Sequence, residues 1–225
     1  MYKYELHAHT SECDKVATLG GADLVKLYNN AGYSGIVITD HYFSLFFDWF
    51  KDELCCASHK RIIDRYLKGW YCAKNEGEKL GFTVIPGCEV RFDGSINDYL
   101  VYGLEESDFY ELPLLNRLSD VNELIKVLPD TAVVVQAHPF RDNMTVCNPS
   151  PLFGIEVYNG GTESFRNEMA KIFAKHYEKA MTSGSDVHCE KHIARGGIIS
   201  VVKINTSKEL ADVLRSGKYS LIEKE

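Results

Sequence analysis

The chain alternates between two hydrophobic periodicities, and that alternation restricts its fold more than any single motif does. Short β-rich runs occur at YELHAH (4–9), GIVITDH (35–41), FTVIPGCEV (82–90), DYLVYGL (98–104), AVVVQAHP (132–139), GIEVYNG (154–160) and MTSGSDVH (181–188). Between them lie amphipathic stretches. ADLVKLYNNAG sets Leu24, Leu27, Tyr28 and Ala31 on one face before a stop at Gly32. RIIDRYLKGWYCAKNEGEKLG carries Ile62, Ile63, Tyr66, Leu67 and Trp70 as one stripe and ends at Gly81, a reading of one helix. LNRLSDVNELIKVL and ESFRNEMAKIFAKHYEKA repeat the pattern, and the tail after Gly196 adds a strand, a helix and a closing strand. Alternating strands and helices predict an α/β fold with a mostly parallel sheet. Seven strands of this length suit a closed or nearly closed TIM-like (βα)7 barrel, with an open doubly wound sheet as the alternative. Only RFDGSIN separates the third run from the fourth, too little for a crossover helix, so a strict eightfold barrel is not expected.

With 225 residues, 45% of them hydrophobic, the chain can bury one sizeable core, and a single domain over 1–225 is the expectation. The apolar runs are too short to span a bilayer and no basic-then-apolar leader opens the chain, so a cytoplasmic protein without membrane contact is expected. Cys13, Cys55, Cys56, Cys72, Cys88, Cys147 and Cys189 are odd in number and include no C-x-x-C pair, which reads as reduced structural thiols. A net charge of −7 without a Lys/Arg run argues against a protein that tracks long nucleic acid.

The chemistry is written at the strand ends. His7 and His9 lie two apart on the first run, so their imidazoles share a face and converge on one object. Asp40 and His41 close the second run, Glu89 the third, His138 the fifth, and Asp186 with His188 the seventh. In barrels the loops at the C-terminal strand ends converge on one mouth, so five strands agreeing in this way predict a metal site. Imidazole and carboxylate without thiolate suit Zn, Mn or Fe in a catalytic cluster. A carboxylate such as Glu89 can bridge two ions, and paired ions clamp the oxygens of a phosphoryl group in flight. Arg141 and Arg195 each follow a metal motif by a few residues and offer planar forks to phosphate oxygens.

HAH (7–9), ITDH (38–41), GCE (87–89), AHP (137–139) and GSDVH (184–188) resemble, in order, the motifs of the PHP (polymerase and histidinol phosphatase) family, from residue 4 to about residue 204. The resemblance implies a distorted seven-stranded barrel and a metal-dependent phosphoesterase that works through a metal-activated hydroxide at a di- or trinuclear centre. It implies one ion held by His7, His9, Glu89 and Asp186, a second sharing Glu89 with His138, and a third held by His41 and His188, with Asp14 at the family's offset. The chain departs from the family at Asp98, which stands where a histidine for the second ion is usual; an oxygen ligand there favours a harder ion such as Mn, or a weakly bound one. Asp40 reads as a group that orients a ligand imidazole. Asn159 resembles a residue common at that family strand end, Glu156 reads as structural, and His59, His176 and His192 as surface residues.

Phe43, Phe46, Phe47, Trp49 and Phe50 make 42–60 the segment least like the family, and it reads as a helix packing its apolar face, with a base-stacking lid as the alternative. A small phosphomonoester, a nucleotide or similar, is the expected substrate. The alternatives are an exonuclease on short oligonucleotides, a histidinol phosphatase, a non-catalytic metal-bound binding domain and, from another reaction class, an amide or C–N hydrolase.

Overall fold

Eleven strands form among the described residues, 1–224 of the computed structural model. They are β1 (Tyr2–Glu5), β2 (Gly35–Ile38), β3 (His41–Tyr42), β4 (Thr83–Pro86), β5 (Cys88–Val90), β6 (Tyr99–Tyr102), β7 (Val133–Gln136), β8 (Gly154–Asn159), β9 (Ala180–Gly184), β10 (Gly196–Ser200) and β11 (Tyr219–Glu223). The helices are α1 (Gly21–Asn30), α2 (Ser44–Trp49), α3 (Lys51–Leu54), α4 (His59–Tyr66), α5 (Lys68–Leu80), α6 (Glu106–Glu111), α7 (Val121–Val127), α8 (Ser164–His176) and α9 (Ser207–Ser216). Each of the seven expected runs carries strand, and the tail folds as strand, helix and strand. The stripe over 61–81 breaks at Leu67 into α4 and α5, with Ser58 capping the first and left-handed Gly81 ending the second.

Two sheets form where one closed barrel was expected. One has the order β11-β10-β1-β2-β4, the other β3-β5-β6-β7-β8-β9. The GIVITDH and FTVIPGCEV runs each divide, so that β2 and β4 at the edge of the first sheet continue as β3 and β5 at the edge of the second. The two runs stay paired across the break: Gly87 N–H donates to the Ile38 carbonyl and Glu89 N–H to that of Asp40. At the other margin β10 occupies the flank of β1, with Tyr4 opposite Ile198. The segment directly after β9 therefore bridges to the first run beyond β1, in a single parallel bridge of Ala8 with Val187. Ser183 links β9 to the tail, its hydroxyl accepting from Gly197 N–H and donating to the Ile222 carbonyl.

Both sheets contribute to one inner core. Tyr4, Val37, Ile85 and Ile198 from the first meet Leu100, Tyr102, Val133 and Val135 from the second, and Leu210, Ala211 and Leu214 of α9 pack on the same group. Burial of this apolar surface is the main stabilising term. A larger cluster packs α1, α4 and α5 against the outer faces through Leu24, Tyr28, Ile63, Trp70 and Ala73. No helix is long and apolar enough to cross a membrane among the described residues.

Candidate metal centre

His7 and His9 lie beyond the end of β1, on either side of the Ala8 bridge; both rings are fully buried and 5.1 Å apart between centroids. Their Nε2 atoms face Glu89, which follows the Gly87 break, and Asp186, which follows β9. His7 Nε2 lies 3.3 Å from Glu89 Oε2 and 3.5 Å from Asp186 Oδ1; His9 Nε2 lies 3.4 and 3.3 Å from the same two oxygens. All four atoms are shielded from solvent and none has a hydrogen-bond partner. Four tetrahedral ligand atoms about 2.0–2.1 Å from a zinc-like ion stand about 3.3–3.4 Å apart. The donor set therefore fits a divalent cation in separation and chemistry, and such an ion would satisfy four polar atoms that are otherwise costly to bury.

Two further clusters lie on either side of Glu89. His41 Nε2 is 3.1 Å from Glu89 Oε2, and its Nδ1 hydrogen-bonds Asp14 Oδ2. That oxygen is 3.7 Å from His188 Nε2 and 3.8 Å from His9 Nδ1, which makes His9, Asp14, His41 and His188 a second group able to hold an ion. On the other side His138 Nε2 lies 3.0 Å from Glu89 Oε1 and 3.9 Å from Asp98 Oδ2. Glu89, Asp98 and His138 form a third group. All nine metal ligands read from the sequence thus gather at one place.

Charge neighbours decide the protonation of these rings. Burial lowers the affinity of His7 for a proton, but Glu156, Glu89 and Asp186 outweigh it and hold His7 well above the usual imidazole range. Burial with His41 and His188 close by pushes His9 down to about 3. Burial also disfavours the charged form of His41, yet Glu89 and Asp14 carry it up to about 9. Burial raises the Glu89 carboxyl, and the charges of His7 and His41 with the hydrogen bond to His138 reverse this, leaving it well below the ordinary carboxylate range.

The supporting contacts correct two readings. Asp40 touches no imidazole: Oδ1 accepts from Thr10 N–H at 2.6 Å and Oδ2 from the Thr10 hydroxyl at 2.8 Å. It fixes the turn after His9, and burial raises its pKa to about 7. Glu156, read as structural, is the group that orients the imidazole, with Oε1 2.8 Å from His7 Nδ1. Its Oε2 accepts from His138 N–H and from Asn159 Nδ2, which also donates to Asp186. In the neutral ring that a metal would bind, a carboxylate on Nδ1 fixes the proton there and leaves Nε2 as the free lone pair. Arg195 donates to the Gly160 carbonyl, whereas Arg141 pairs with Asp186 Oδ2 at 2.7 Å.

Sequence reasoning missed Glu5 and Arg91. Glu5 Oε1 accepts from the N–H groups of Leu6, His7 and Ser185, and Oε2 from the hydroxyls of Tyr28 and Ser185. Arg91 holds Asp98 through two nitrogens at 2.6 and 2.5 Å. A hairpin register would have found it, because Val90 pairs with Tyr99 and so sets Arg91 opposite Asp98.

Close approach and strain mark the same place. A Cβ on Gly184 would stand 2.3 Å from the His7 Cβ, so only glycine lets β9 pass behind that ring. His138 and Asp186 adopt positive φ, at 26° and 53°, an uncommon conformation concentrated at functional sites. His59 and His176 are exposed, and His192 Nδ1 accepts from His188 N–H. In the aromatic segment Phe46 is buried against Tyr66, and Arg65 covers Phe50 at 3.5 Å. Phe43 stacks on His41 with centroids 4.8 Å apart, and Trp49 meets Phe43 edge-on. The segment packs its apolar face as expected and touches the centre through Phe43. All seven cysteines are free.

Residues 165–219 match the PHP-associated family. No curated protein matches the chain at a significant level. Among solved structures, the chain is similar to PsfC from Pseudomonas syringae (TM-score 0.70, 12% identity, covering 99% of this chain and 91% of that one). It is also similar to a two-domain protein from Bacteroides vulgatus containing a predicted PHP-like metal-dependent phosphoesterase (TM-score 0.67, 16% identity), covering 99% of this chain and 65% of that one. The chain thus spans less than two thirds of that two-domain protein. Endonuclease Q, solved with a 27-mer duplex substrate bearing an abasic lesion at the active site, is similar at TM-score 0.55 and 13% identity, over 96% of this chain and 56% of that one. The C-terminal part of the chain thus matches the PHP-associated family, and the chain as a whole shares the fold of a protein containing a predicted PHP-like phosphoesterase.

Proposed function

We propose that the chain is a metal-dependent hydrolase of phosphoesters, and that its substrate is a small phosphomonoester, a nucleotide or similar. The observation that carries the reading is the set of four buried, unpartnered atoms on His7, His9, Glu89 and Asp186, held 3.3–3.5 Å apart between imidazole and carboxylate. Divalent cations bound at such a donor set supply Lewis-acid activation of water and neutralise charge on a phosphoryl group. The chain's own residues prepare the site for this. Glu156 keeps the His7 lone pair on Nε2 pointing inward. Asp40 fixes the turn that carries Asp14 through Thr10. Arg141, half-buried on Asp186, offers its remaining N–H groups to phosphate oxygens. Arg195, engaged with Gly160, orders the loop after β8. In this reading the ions are Zn, Mn or Fe, and the domain spans 1–225.

A second reading, hydrolysis of short oligonucleotides, draws support from the likeness to Endonuclease Q with its bound duplex. The deciding experiment measures phosphate release by Mn-reconstituted protein from nucleoside monophosphates, sugar phosphates and histidinol phosphate, and chain shortening of oligonucleotides, with Glu89→Gln as control. Release from monophosphates that disappears in the control supports the first reading, and shortening alone supports the second. No turnover in protein that retains its metal overturns both.

A further inference from the structure

The Glu89–Asp98–His138 corner differs from its neighbours because an arginine holds both oxygens of its aspartate. Arg91 directly follows β5 and Asp98 directly precedes β6, and the antiparallel register brings them face to face. The guanidinium uses Nε on Oδ1 and Nη2 on Oδ2, so both carboxylate oxygens are engaged in a two-pronged, charge-assisted contact. Asp98 itself is buried, while Arg91 reaches the surface with its side chain 31% exposed. His138 Nε2 is committed to Glu89 Oε1. The four atoms of the His7–His9–Glu89–Asp186 group, a few ångströms away, have no hydrogen-bond partner.

We propose that Arg91 is the resident cation of this corner: its guanidinium neutralises Asp98 where a divalent ion would otherwise bind, so the chain holds two ions and not three. The inference rests on the metal-dependent reading above. An incoming ion and the guanidinium compete for the same in-plane lone pairs of Asp98, and the ion would have to break both prongs at once. A cation built into the polypeptide also stays in place when metal is scarce, so one wall of the mouth remains positive whatever the metal supply.

The test is metal stoichiometry, which needs no turnover. Chelator-stripped protein is dialysed against excess Mn, freed of unbound ion, and its metal content per chain read by inductively coupled plasma mass spectrometry. The wild-type chain should hold about two ions and Arg91→Ala about three. Three ions in the wild type overturn this inference and leave the metal-dependent reading standing, whereas no bound ion overturns that reading itself. A folded Arg91→Ala protein, checked by circular dichroism, that still holds two ions also overturns the inference. Should Arg91→Ala fail to fold, Arg91→Lys keeps the charge and gives up the two-pronged contact. It should then bind its third ion at least about tenfold more tightly than the wild type does, and an unchanged affinity overturns the inference.

Discussion

Glu5 and Glu89 are the same chemical group, equally buried, and they differ in what surrounds them. Five donors close on Glu5, from Leu6, His7, Ser185 and Tyr28, so both of its oxygens are satisfied within the protein. Glu89 has one oxygen on His138 and the other aimed, without a hydrogen bond, between three imidazoles. A satisfied buried carboxylate ties elements together, and an unsatisfied one marks a place where the fold gives up stability for chemistry. The difference teaches which of two identical side chains is framework and which is site, and substitutions at each should separate the two roles.

The largest effect belongs to Glu89. Glu89→Gln should lower hydrolysis by about a thousandfold or more through loss of the shared ligand, with a folded protein by circular dichroism. Unfolding of that variant would make Glu89 framework as well and collapse the comparison. Glu5→Gln should do the converse: a stability loss of about 3 kcal/mol in urea titrations, because an amide cannot accept from all five donors, with turnover per folded molecule kept. Stripping metal should cost about 2–3 kcal/mol, seen as a melting temperature lower by about 5–10 °C, and the effect should vanish in Glu89→Gln. Equal shifts in both proteins would show that the ions bind elsewhere. Arg141→Ala should reduce kcat/KM by about tenfold through loss of one phosphate contact, and an unchanged value would confine Arg141 to its pairing with Asp186. Trp49→Ala is the smallest, a change of about threefold or less on a small phosphomonoester, since Trp49 meets the centre only through Phe43. A larger rise in KM for nucleotides alone would restore the base-stacking reading.

How much of this could be read in advance follows from the range of each interaction. His7 and His9 were legible because a two-residue period needs no knowledge of the rest of the fold. His41, Glu89, His138, Asp186 and His188 were legible as a group because five strand ends told the same story, and Asp14 and Asp98 came from motif order. Glu156 and Arg91 were not legible, since their roles depend on which strand lies beside which and in what register. Asp40 was misread for the same reason: its position beside His41 suggested an imidazole partner, and the packing supplied Thr10. The seven strand runs were visible, yet their arrangement as two sheets was not, because nothing local announces that β10 will take the flank of β1. Helix continuity across Leu67 failed where one apolar stripe served two helices.

The contact between Glu5 and Ser185 spans 180 residues and has a consequence in the history of each molecule. A ribosome adding about 5–20 residues per second takes about 10–40 s to cover that distance. Through that interval the segment from Glu5 to His9 carries a carboxylate without its later donors and two histidines without Asp186. A nascent chain halted between α8 and β9 would present this incomplete edge to every chaperone and protease in reach. The segment that carries His7 and His9 is therefore finished only long after it is made.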